Sequence, residues 1–396
     1  MIADRIHQIE VSKTMMISAE AKKLKAAGVD VINLGMGELD FNTPHNIKEA
    51  GKLAIDENKT RYTMNVGTVE LRTAIASKLK RDNHLEYPLK NIIVTNGAKQ
   101  AVFNATMTLV NPGEEVIISS PYWVSYPAMV SIAQGKTVVI KTNIDSGFRF
   151  TAKQLEEATT PKSKVLIFCN PSNPTGTGYN KDELAELADV IERKNLYVIS
   201  DDIYEKLVFD NFKFYSLAEV KPSIKDRIVL VNGVSKSYSM TGWRIGYAAA
   251  NDDIIKGMDK IQSHSTSHAS TISQEAAIEA LSGPQFMIEE MLVELKERRD
   301  FMYNELTSIN GIKCFKPQGA FYLFPDISSL LNRQIGDLKF ETSLDLAIYL
   351  LHEVHVAVVP GSAFGAEGYI RISYSTSMEN LKEVIYRLKK AFAKLT

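Results

Sequence analysis

The chain of 396 residues contains only two cysteines, Cys169 and Cys314, which are too few for a disulfide framework. Neither lies in a CxxC pair or beside histidines at metal-site spacing, so no metal site is expected. Net charge is also nearly absent, because 46 Lys and Arg residues against 47 Asp and Glu residues give −1 at pH 7. Without a basic field, no nucleic-acid partner is expected. The shortage of cysteine favours a reducing cytoplasm.

Long apolar segments are missing as well. Residues 1–16 carry charged side chains and lack the apolar core of a signal peptide. The one uncharged stretch that is long enough to cross a bilayer, 116–135, contains Pro121, Pro127 and four serines. We expect no membrane partner and no export, and we predict a buried strand, a turn and a helix across 116–135.

The central part of the chain alternates short β-branched runs with segments of helical periodicity, between about residues 91 and 250. This alternation predicts an α/β fold in which helices flank a mainly parallel sheet. Asn180 is a candidate N-cap for a helix over Lys181–Arg193. The clearest predicted strands are Ile92–Thr95, Val116–Ser119, Val165–Cys169, Leu196–Ser200 and Ile228–Asn232.

The pattern changes from about residue 285. A long charged helix over Met287–Leu306 precedes short strands near residues 320–323 and 356–359, and a terminal helix begins at Met378. These elements predict a second, smaller α+β domain. We place the large domain at 46–284, and the small domain at 1–45 and 285–396, discontinuous and with an N-terminal arm.

Several familiar motifs are incomplete. Residues 135–137 read GKT, but the P-loop pattern needs glycine where Val130 stands. A dinucleotide-binding GxGxxG would need its third glycine at Asp40. His352 and His355 are three residues apart rather than the four of HExxH, and we expect ordinary helix-surface or core roles for them.

Polar segments follow the predicted strands, where ligands of an open parallel sheet bind. Asn96–Gln100 opens a helix with small residues that suit an anion, although a simple tight turn explains it equally well. Residues 170–176 form a rigid Asn-Pro turn. Asp201 ends an apolar strand, and a buried carboxylate needs a positive partner.

One lysine stands out after the last of these strands. Lys236 lies among small and aromatic residues, which lower the pKa of an amine and suit a nucleophile, although most lysines are solvated surface residues. Arg244, eight residues later, offers a fork for a phosphate. An acid, an amine and an anion site together describe a ligand with a protonated ring nitrogen, a carbonyl and a phosphate. Pyridoxal phosphate has all three.

These residues lie in segments that resemble the class I aminotransferases, the pyridoxal-phosphate enzymes of fold type I. The resemblance extends over nearly the whole chain and is greatest to the prokaryotic subgroup of aspartate aminotransferases. The segments that carry it are NPTG at 173–176, SDDIY at 200–204, SKSYSMTGWRIGY at 235–247, SPYWVSYP near 122, PQGAFYLF near 318 and IRISYSTS near 371.

The resemblance implies a large domain with a mainly parallel sheet, a smaller α+β domain and a homodimer. It implies a pyridoxal 5′-phosphate-dependent aminotransferase with amino-acid and 2-oxo-acid substrates, converting aspartate and 2-oxoglutarate to oxaloacetate and glutamate by ping-pong transamination. Aromatic, prephenate-type or alanine-like substrates, or a lyase reaction on the same fold, remain alternatives. A regulator that senses the cofactor would need a DNA-binding module, for which the chain has no basic stripe.

The resemblance also implies roles for the cofactor contacts. Lys236 matches the Schiff-base lysine that also moves the proton, and Asp201 matches the acid that keeps the ring nitrogen protonated. Tyr204 and Asn173 match the donors to the ring 3-oxygen, and Trp123 matches the ring that stacks on the cofactor. The contacts expected at the phosphate end are Gly97, Ala98, Lys99, Ser235, Arg244 and, from the neighbouring subunit, Tyr62.

The substrate contacts implied by the resemblance centre on Arg371, which matches the arginine that binds the α-carboxylate, assisted by the backbone of Gly37. Trp123 and Asn173 also border the substrate. Lys99 matches the partner of a second, distal carboxylate, although it could equally be an ordinary residue of a first helical turn. Gly233 stands where some members have serine, so that phosphate contact is either lost or taken by Ser235 or Ser239.

Overall fold

The structure is a computed structural model that describes residues 2, 6–7, 9, 13–336 and 338–395. Its α-helices are α1 (Lys13–Ala26), α2 (His45–Asp56), α3 (Val69–Asn83), α4 (Ala98–Leu109), α5 (Ser125–Ile132), α6 (Ala152–Ala158), α7 (Lys181–Lys194), α8 (Leu217–Val220), α9 (Asp252–Ser263), α10 (Thr271–Ser282), α11 (Phe286–Thr307), α12 (Ser343–His352) and α13 (Met378–Phe392).

The strands complete the set of regular elements in those ranges. They are β1 (Ile32–Asn33), β2 (Ile92–Thr95), β3 (Glu115–Ser120), β4 (Lys136–Lys141), β5 (Ser163–Cys169), β6 (Tyr197–Asp201), β7 (Ile228–Gly233), β8 (Gly246–Ala249), β9 (Tyr322–Leu323), β10 (Gln334–Ile335), β11 (Leu338–Lys339), β12 (Val356–Ala357), β13 (Val359–Pro360) and β14 (Ile370–Ser373).

Seven strands form the central sheet, in the order β2-β8-β7-β6-β5-β3-β4. All neighbours are parallel except β8, which runs antiparallel to both β2 and β7. The five strands expected from the sequence are confirmed, with ends that differ by at most two residues. Two strands were not expected. β4 reads KTVVIK, a β-branched run between two exposed lysines that the sequence analysis did not assign, whereas β8 reads GYAA and has no β-branched residue.

Helices cover both faces of this sheet. Successive residues of β7 point to opposite sides, as the pleat requires, so that Val229 and Val231 join one apolar cluster and Ile228 and Leu230 join the other. The cluster around Val229 includes residues of α4 and α9, and the larger cluster includes residues of α3, α7 and α10. The fold is therefore α/β with a mainly parallel sheet flanked by helices, as the sequence predicted.

The predicted cap of α7 is present in full. Asn180 accepts a hydrogen bond from the Glu183 backbone, and the Glu183 side chain accepts one from the Asn180 backbone, which forms a capping box. The stretch 116–135 folds as predicted into β3, a turn and α5. Among the described residues, no helix is both long enough and apolar enough to span a bilayer.

The C-terminal part contains a small antiparallel sheet in the order β13-β14-β9, together with α11, α12 and α13. The strand predicted near 356–359 is split, because Val356 and Ala357 pair with β1 while Val359 pairs with Arg371 of β14. The parallel pairing of β1 with β12 joins an N-terminal segment to the C-terminal elements. It brings residues near Gly37 to the same region as Arg371.

Candidate active site

A cavity of about 390 Å³ lies at the carboxyl ends of β5, β6 and β7 and is closed by residues near β1 and β14. Its lining includes all the predicted site residues except Gly97, which lies next to the lining residue Arg244, and Tyr62. The predicted residues that line it are Gly37, Ala98, Lys99, Trp123, Asn173, Asp201, Tyr204, Ser235, Lys236, Arg244 and Arg371. In the described ranges, no group of His, Cys, Asp and Glu side chains is arranged to hold a metal ion.

Lys236 follows β7 and reaches into the cavity. Its Nζ donates to the Gly37 carbonyl oxygen at 2.5 Å, and the Phe321 ring lies 5.7 Å away. Burial, followed by the nearby charge of Arg371, lowers the pKa of Lys236 to about 8. Near neutral pH a useful fraction of this amine is therefore unprotonated, which agrees with the nucleophile expected from its apolar sequence neighbours.

Asp201 ends β6 and is buried in the cavity wall. The Tyr126 hydroxyl donates to its Oδ2 at 2.7 Å, whereas its Oδ1 has no hydrogen-bond partner among the described residues. Burial raises the pKa of Asp201 to about 6, against the opposing effect of Tyr126. The positive partner expected from the sequence is not a side chain in direct contact: no described Lys, Arg or His forms an ion pair with this carboxylate, and the charge of Lys236 acts on it from a greater distance. Its free oxygen leaves room for a cation in the cavity.

Arg371 lies on β14 and is only 3% exposed. Its Nη1 donates to Asn173 Oδ1 at 3.0 Å and its Nη2 donates to the Gly35 carbonyl oxygen at 2.8 Å. Its Nε has no partner among the residues that the structure describes. A buried guanidinium with donors to spare is suited to a carboxylate, which it can bind with two parallel hydrogen bonds.

Two buried phenols adjoin this arginine. The Tyr204 hydroxyl oxygen lies 3.2 Å from the Tyr322 hydroxyl oxygen, and burial raises the pKa of Tyr204 well above its usual range. The Tyr322 ring packs 4.4 Å from the centre of the Arg371 guanidinium. Asn173 is held by Arg371 through its oxygen, so its amide nitrogen remains available as a donor.

The N-terminus of α4 and Arg244 form the anion-binding end of the cavity. Gly97 has φ +83°, and a Cβ there would come within 2.4 Å of Arg244 Nη2, so a larger residue would displace the guanidinium. Arg244 also donates to the Asn96 and Thr241 carbonyl oxygens. The free backbone N–H groups that begin at Ala98 add to this anion site.

Ser235 and Ser239, the two serines that could supply the phosphate contact missing at Gly233, differ in position. Ser235 is buried and lines the cavity. The Ser239 hydroxyl instead contacts the sulfur of Met291 at 3.7 Å, away from the cavity. Only Ser235 is placed to contact a bound anion.

Lys99, in the first turn of α4, lies over the face of Trp123, with its Nζ 5.1 Å from the ring centroid. Burial, followed by the charge of Arg244, lowers its pKa. The Trp123 ring makes an edge-to-face contact with Tyr126 at 5.3 Å. Lys99 is solvent-exposed as a first-turn lysine usually is, but it also lines the same cavity as Arg371.

Tyr62 does not line the cavity of its own chain. Its side chain is 92% exposed and makes an edge-to-face contact with His268, with the ring centroids 5.5 Å apart. A contribution to the cavity of its own chain is not seen, so its predicted role depends on a second subunit.

The sequence analysis assigned no role to several lining residues. Tyr126 holds Asp201, Tyr322 joins Tyr204 to Arg371, and Glu38 accepts a hydrogen bond from Thr241 at 3.1 Å at the cavity mouth. Tyr126 and Tyr322 lie in segments quoted for the resemblance, SPYWVSYP and PQGAFYLF, but aromatic residues beside apolar ones are ordinary core residues in a sequence.

Comparison with known proteins agrees with this geometry. The family model for aminotransferase class I and II matches residues 29–388. This chain belongs to that family. It is 48% identical over 397 residues to a probable aspartate/prephenate aminotransferase of Rickettsia bellii, covering 100% of this chain and 99% of the relative. It is 45% identical over 390 residues to an aspartate aminotransferase of Bacillus sp. strain YM-2, covering 98% of each.

Solved aminotransferase structures have the same fold. The aspartate aminotransferase of Rhizobium meliloti matches with a TM-score of 0.97 and 44% identity over 100% of both chains. The enzyme of Thermus thermophilus with maleate matches with a TM-score of 0.93 and 38% identity, covering 98% of this chain and 99% of that one. The predicted family, fold type I and pyridoxal-phosphate-dependent aminotransferase activity are thereby confirmed.

The residues of the cavity fit pyridoxal phosphate. The unpartnered Asp201 Oδ1 suits a protonated ring nitrogen, and Lys236, with its low pKa, suits the aldehyde. The space that Gly97 leaves beside Arg244 suits the phosphate.

Proposed function

We propose that this aminotransferase transfers the amino group of aspartate to 2-oxoglutarate, giving oxaloacetate and glutamate in two ping-pong half-reactions. The observation that carries the proposal is the presence of two cationic side chains, Arg371 and Lys99, in one cavity. A substrate with two carboxylates can pair with both. The names of the relatives and the maleate in the Thermus thermophilus structure support a dicarboxylic substrate.

The predicted cofactor contacts are part of this proposal. When bound, pyridoxal phosphate supplies a conjugated ring that accepts the electron pair of the substrate α-carbon. Asp201 Oδ1 keeps a proton on the ring nitrogen, and Tyr126 holds the other carboxylate oxygen. Tyr204 and the Asn173 amide donate to the ring oxygen, and Trp123 packs on the ring face. The phosphate contacts are Gly97, Ala98, Ser235, Arg244 and the partner subunit's Tyr62, whereas Lys99, also expected at the phosphate end, is assigned here to the substrate.

Lys236 is proposed to hold the cofactor aldehyde and, once displaced by the substrate amine, to move the proton. With the cofactor bound, its Nζ would serve as the base that takes the proton from the substrate α-carbon and, once protonated, as the acid that gives it up. A pKa of about 8 suits both directions, because both protonation states are populated near neutral pH. The Gly37 carbonyl oxygen keeps the amine at the substrate side of the cavity.

Arg371 is proposed to select the bond that breaks. By binding the α-carboxylate with its free donors, it fixes how the α-carbon is turned relative to the cofactor ring. Asn173, the Gly37 backbone and Trp123 complete the substrate contacts, and Lys99 takes the distal carboxylate. A prephenate-type oxo acid is a second candidate substrate, because it also carries two carboxylates and the Rickettsia bellii relative is named for it.

We propose further that the chain is a cytoplasmic homodimer with a large domain at 46–284, and a small domain formed by 1–45 and 285–396. Both cysteines are free, which suits a reducing compartment. The exposure of Tyr62 supports its use by a second subunit. The pairing of β1 with β12 supports a small domain made from both ends of the chain.

A donor and acceptor panel with the purified protein tests the substrate proposal. Aspartate, alanine and phenylalanine are compared as donors to 2-oxoglutarate, and prephenate is compared with oxaloacetate as acceptor from glutamate. We expect kcat/KM for aspartate to exceed that for alanine and phenylalanine by about 10-fold or more, since neither of these donors has a second carboxylate to pair with Lys99. Equal or better use of a monocarboxylic donor would overturn the proposal, and release of products other than oxo acids would indicate a lyase.

A further inference from the structure

Tyr322 is completely buried at the cavity wall and contacts two proposed site residues at once. Its hydroxyl oxygen lies 3.2 Å from the Tyr204 hydroxyl oxygen. Its ring lies 4.4 Å from the Arg371 guanidinium, at cation–π distance. One side chain thus joins the group that faces the cofactor ring to the group that binds the substrate carboxylate.

The pairing of β9 with β14 creates this arrangement. Tyr322 is opposite Ser373 in the antiparallel register, and Arg371 is two residues before Ser373. Residues two apart on a strand share a face, so Tyr322 and Arg371 are diagonal neighbours on the same side of the small sheet. The contact is therefore fixed by the backbone and does not depend on a mobile loop.

The direction of the phenol–phenol hydrogen bond follows from the role proposed for Tyr204. A phenol has a single O–H, and Tyr204 uses it to donate to the ring oxygen of the cofactor. The Tyr204 oxygen must then accept from Tyr322, because two phenols at 3.2 Å share one hydrogen bond and Tyr204 has no second proton. A hydrogen bond received at that oxygen polarises the Tyr204 O–H and strengthens its donation.

We propose that Tyr322 is a positioning residue that sets the direction and strength of the Tyr204 hydrogen bond through its hydroxyl and the plane of the Arg371 guanidinium through its ring. The inference deepens the proposed function and rests on it. The two parts of the side chain act separately, so Tyr322→Phe removes only the first action, whereas Tyr322→Leu removes both.

The first readout is spectroscopic and is made on the cofactor-loaded protein without substrate. A weaker Tyr204 donor leaves more negative charge on the ring oxygen. This charge stabilises the titrating proton on the adjacent nitrogen that links Lys236 to the cofactor, so the pKa of that nitrogen rises. For Tyr322→Phe we expect the pH midpoint of the visible absorption change to rise by about half a unit or more. Loss of a core contact elsewhere would not move this midpoint.

The second readout separates kcat from KM. For Tyr322→Phe we expect kcat to fall by about 5- to 20-fold while KM for aspartate changes by less than about 2-fold, because the ring still supports Arg371. For Tyr322→Leu we expect KM to rise by about 10-fold in addition, since the guanidinium loses the nearer of its two ring contacts and retains Phe364, 5.1 Å away. In a double-mutant cycle, Tyr322→Phe should have little further effect on a Tyr204→Phe background.

Tyr374→Phe is the matched control. Tyr374 is equally buried and donates its hydroxyl to the Ala320 carbonyl oxygen at 3.1 Å, but it does not line the cavity. Tyr374→Phe removes a hydroxyl oxygen from the same apolar cluster as Tyr322→Phe does. We expect its absorption midpoint, kcat and KM to match those of the wild type.

The outcomes are distinguishable. If the wild type and Tyr374→Phe bind the cofactor and transaminate normally, and Tyr322→Phe matches them in midpoint and kcat, the inference on Tyr322 is wrong while the proposed function stands. Additive effects in the cycle with Tyr204→Phe would also overturn it. If the wild type shows no cofactor band and no amino transfer, the proposed function and this inference fail together.

Discussion

Asp201 and Lys236 have opposite protonation requirements, and burial in the same cavity affects both. Burial raises the pKa of Asp201 to about 6 and lowers that of Lys236 to about 8, because the charged form of each group loses hydration. In the cofactor-free protein the carboxylate has Tyr126 as its hydrogen-bond donor but no ion-pair partner among the described side chains. The chain therefore carries an electrostatic cost that a cationic ring nitrogen would relieve.

This cost predicts a pH-dependent gain in stability for Asp201→Asn in the cofactor-free protein. The folded-state pKa lies above the usual value of 3.8, so the cost is fully present above pH 6 and is lost as the pH falls towards 4. At about pH 8 we expect the variant to be more stable by about 1–3 kcal/mol, and at about pH 4.5 the gain should largely vanish. Chemical denaturation at both pH values measures it; lower stability of the variant at pH 8 would contradict the assignment.

Lys99 is proposed to favour substrates with two carboxylates over substrates with one. We expect Lys99→Met to reduce kcat/KM for aspartate by about 10- to 100-fold and that for phenylalanine by less than about 3-fold, because only aspartate has a distal carboxylate. Lys99→Arg keeps the charge and should retain more of the aspartate activity. Steady-state kinetics with both donors checks this. An equal loss for both donors would place Lys99 with the cofactor rather than the substrate.

Among the secondary-structure elements, the sequence predicted those whose apolar pattern is local. The runs Ile92–Thr95 and Ile228–Asn232 are buried on both faces and rich in β-branched residues, so they were recognisable as strands. β8 was not, because GYAA packs through small residues between two neighbours and has no strand-like composition. The break at Val358 depends on two different pairing partners, which no local pattern encodes.

α11 also anchors the segment between β1 and α2, which contains Gly37. Arg298 on this helix is buried, donates to Asp40 at 2.7 Å and lies over the Phe41 ring at 4.9 Å. Asp40 is further fixed by Ser375, whose hydroxyl accepts from its backbone N–H at 2.9 Å. The chain between β1 and α2 is thus anchored three residues after the carbonyl oxygen that accepts from Lys236.

We therefore expect Arg298→Ala to raise KM for aspartate by about 3- to 10-fold with kcat changed by less than about 3-fold, because a loosened segment weakens binding more than chemistry. Lys296→Ala is the control. Lys296 is exposed on the same helix and forms ion pairs with Asp210 and Asp300, so its loss should leave both constants unchanged. Steady-state kinetics on the two variants tests the idea. Identical kinetics for both would show that the anchor does not reach the site.

The site as a whole draws on distant parts of the chain, which limits what its sequence reveals. Lys236 and Asp201 were recognisable because each follows a buried strand at the sheet edge where ligands bind. Arg371 was expected only through the family resemblance, since it comes from the small sheet. Tyr126 and Tyr322 look like core aromatics until the fold brings one to Asp201 and the other to Arg371.

Mixed dimers test whether Tyr62 acts across a subunit interface. Lys236→Ala alone is expected to be nearly inactive, and Tyr62→Ala alone is expected to be impaired. If Tyr62 serves the partner subunit, a mixed dimer has one site with both residues intact, so mixing after dissociation should restore about a quarter of the wild-type activity. Activity assays after refolding equal amounts of the two variants measure this. No recovery above the Tyr62→Ala level would mean that Tyr62 acts within its own chain or not at all.

The most direct measurement locates the lysine that holds the cofactor. The protein is equilibrated with pyridoxal phosphate, reduced with borohydride and digested, and the labelled peptide is identified by mass spectrometry. We expect the phosphopyridoxyl mass on Lys236, in a yield near one per chain, because its amine has a pKa of about 8 and lines the cavity that contains Asp201. Label on another lysine with Lys236 unmodified, or no label at all, would contradict the assignment of this site.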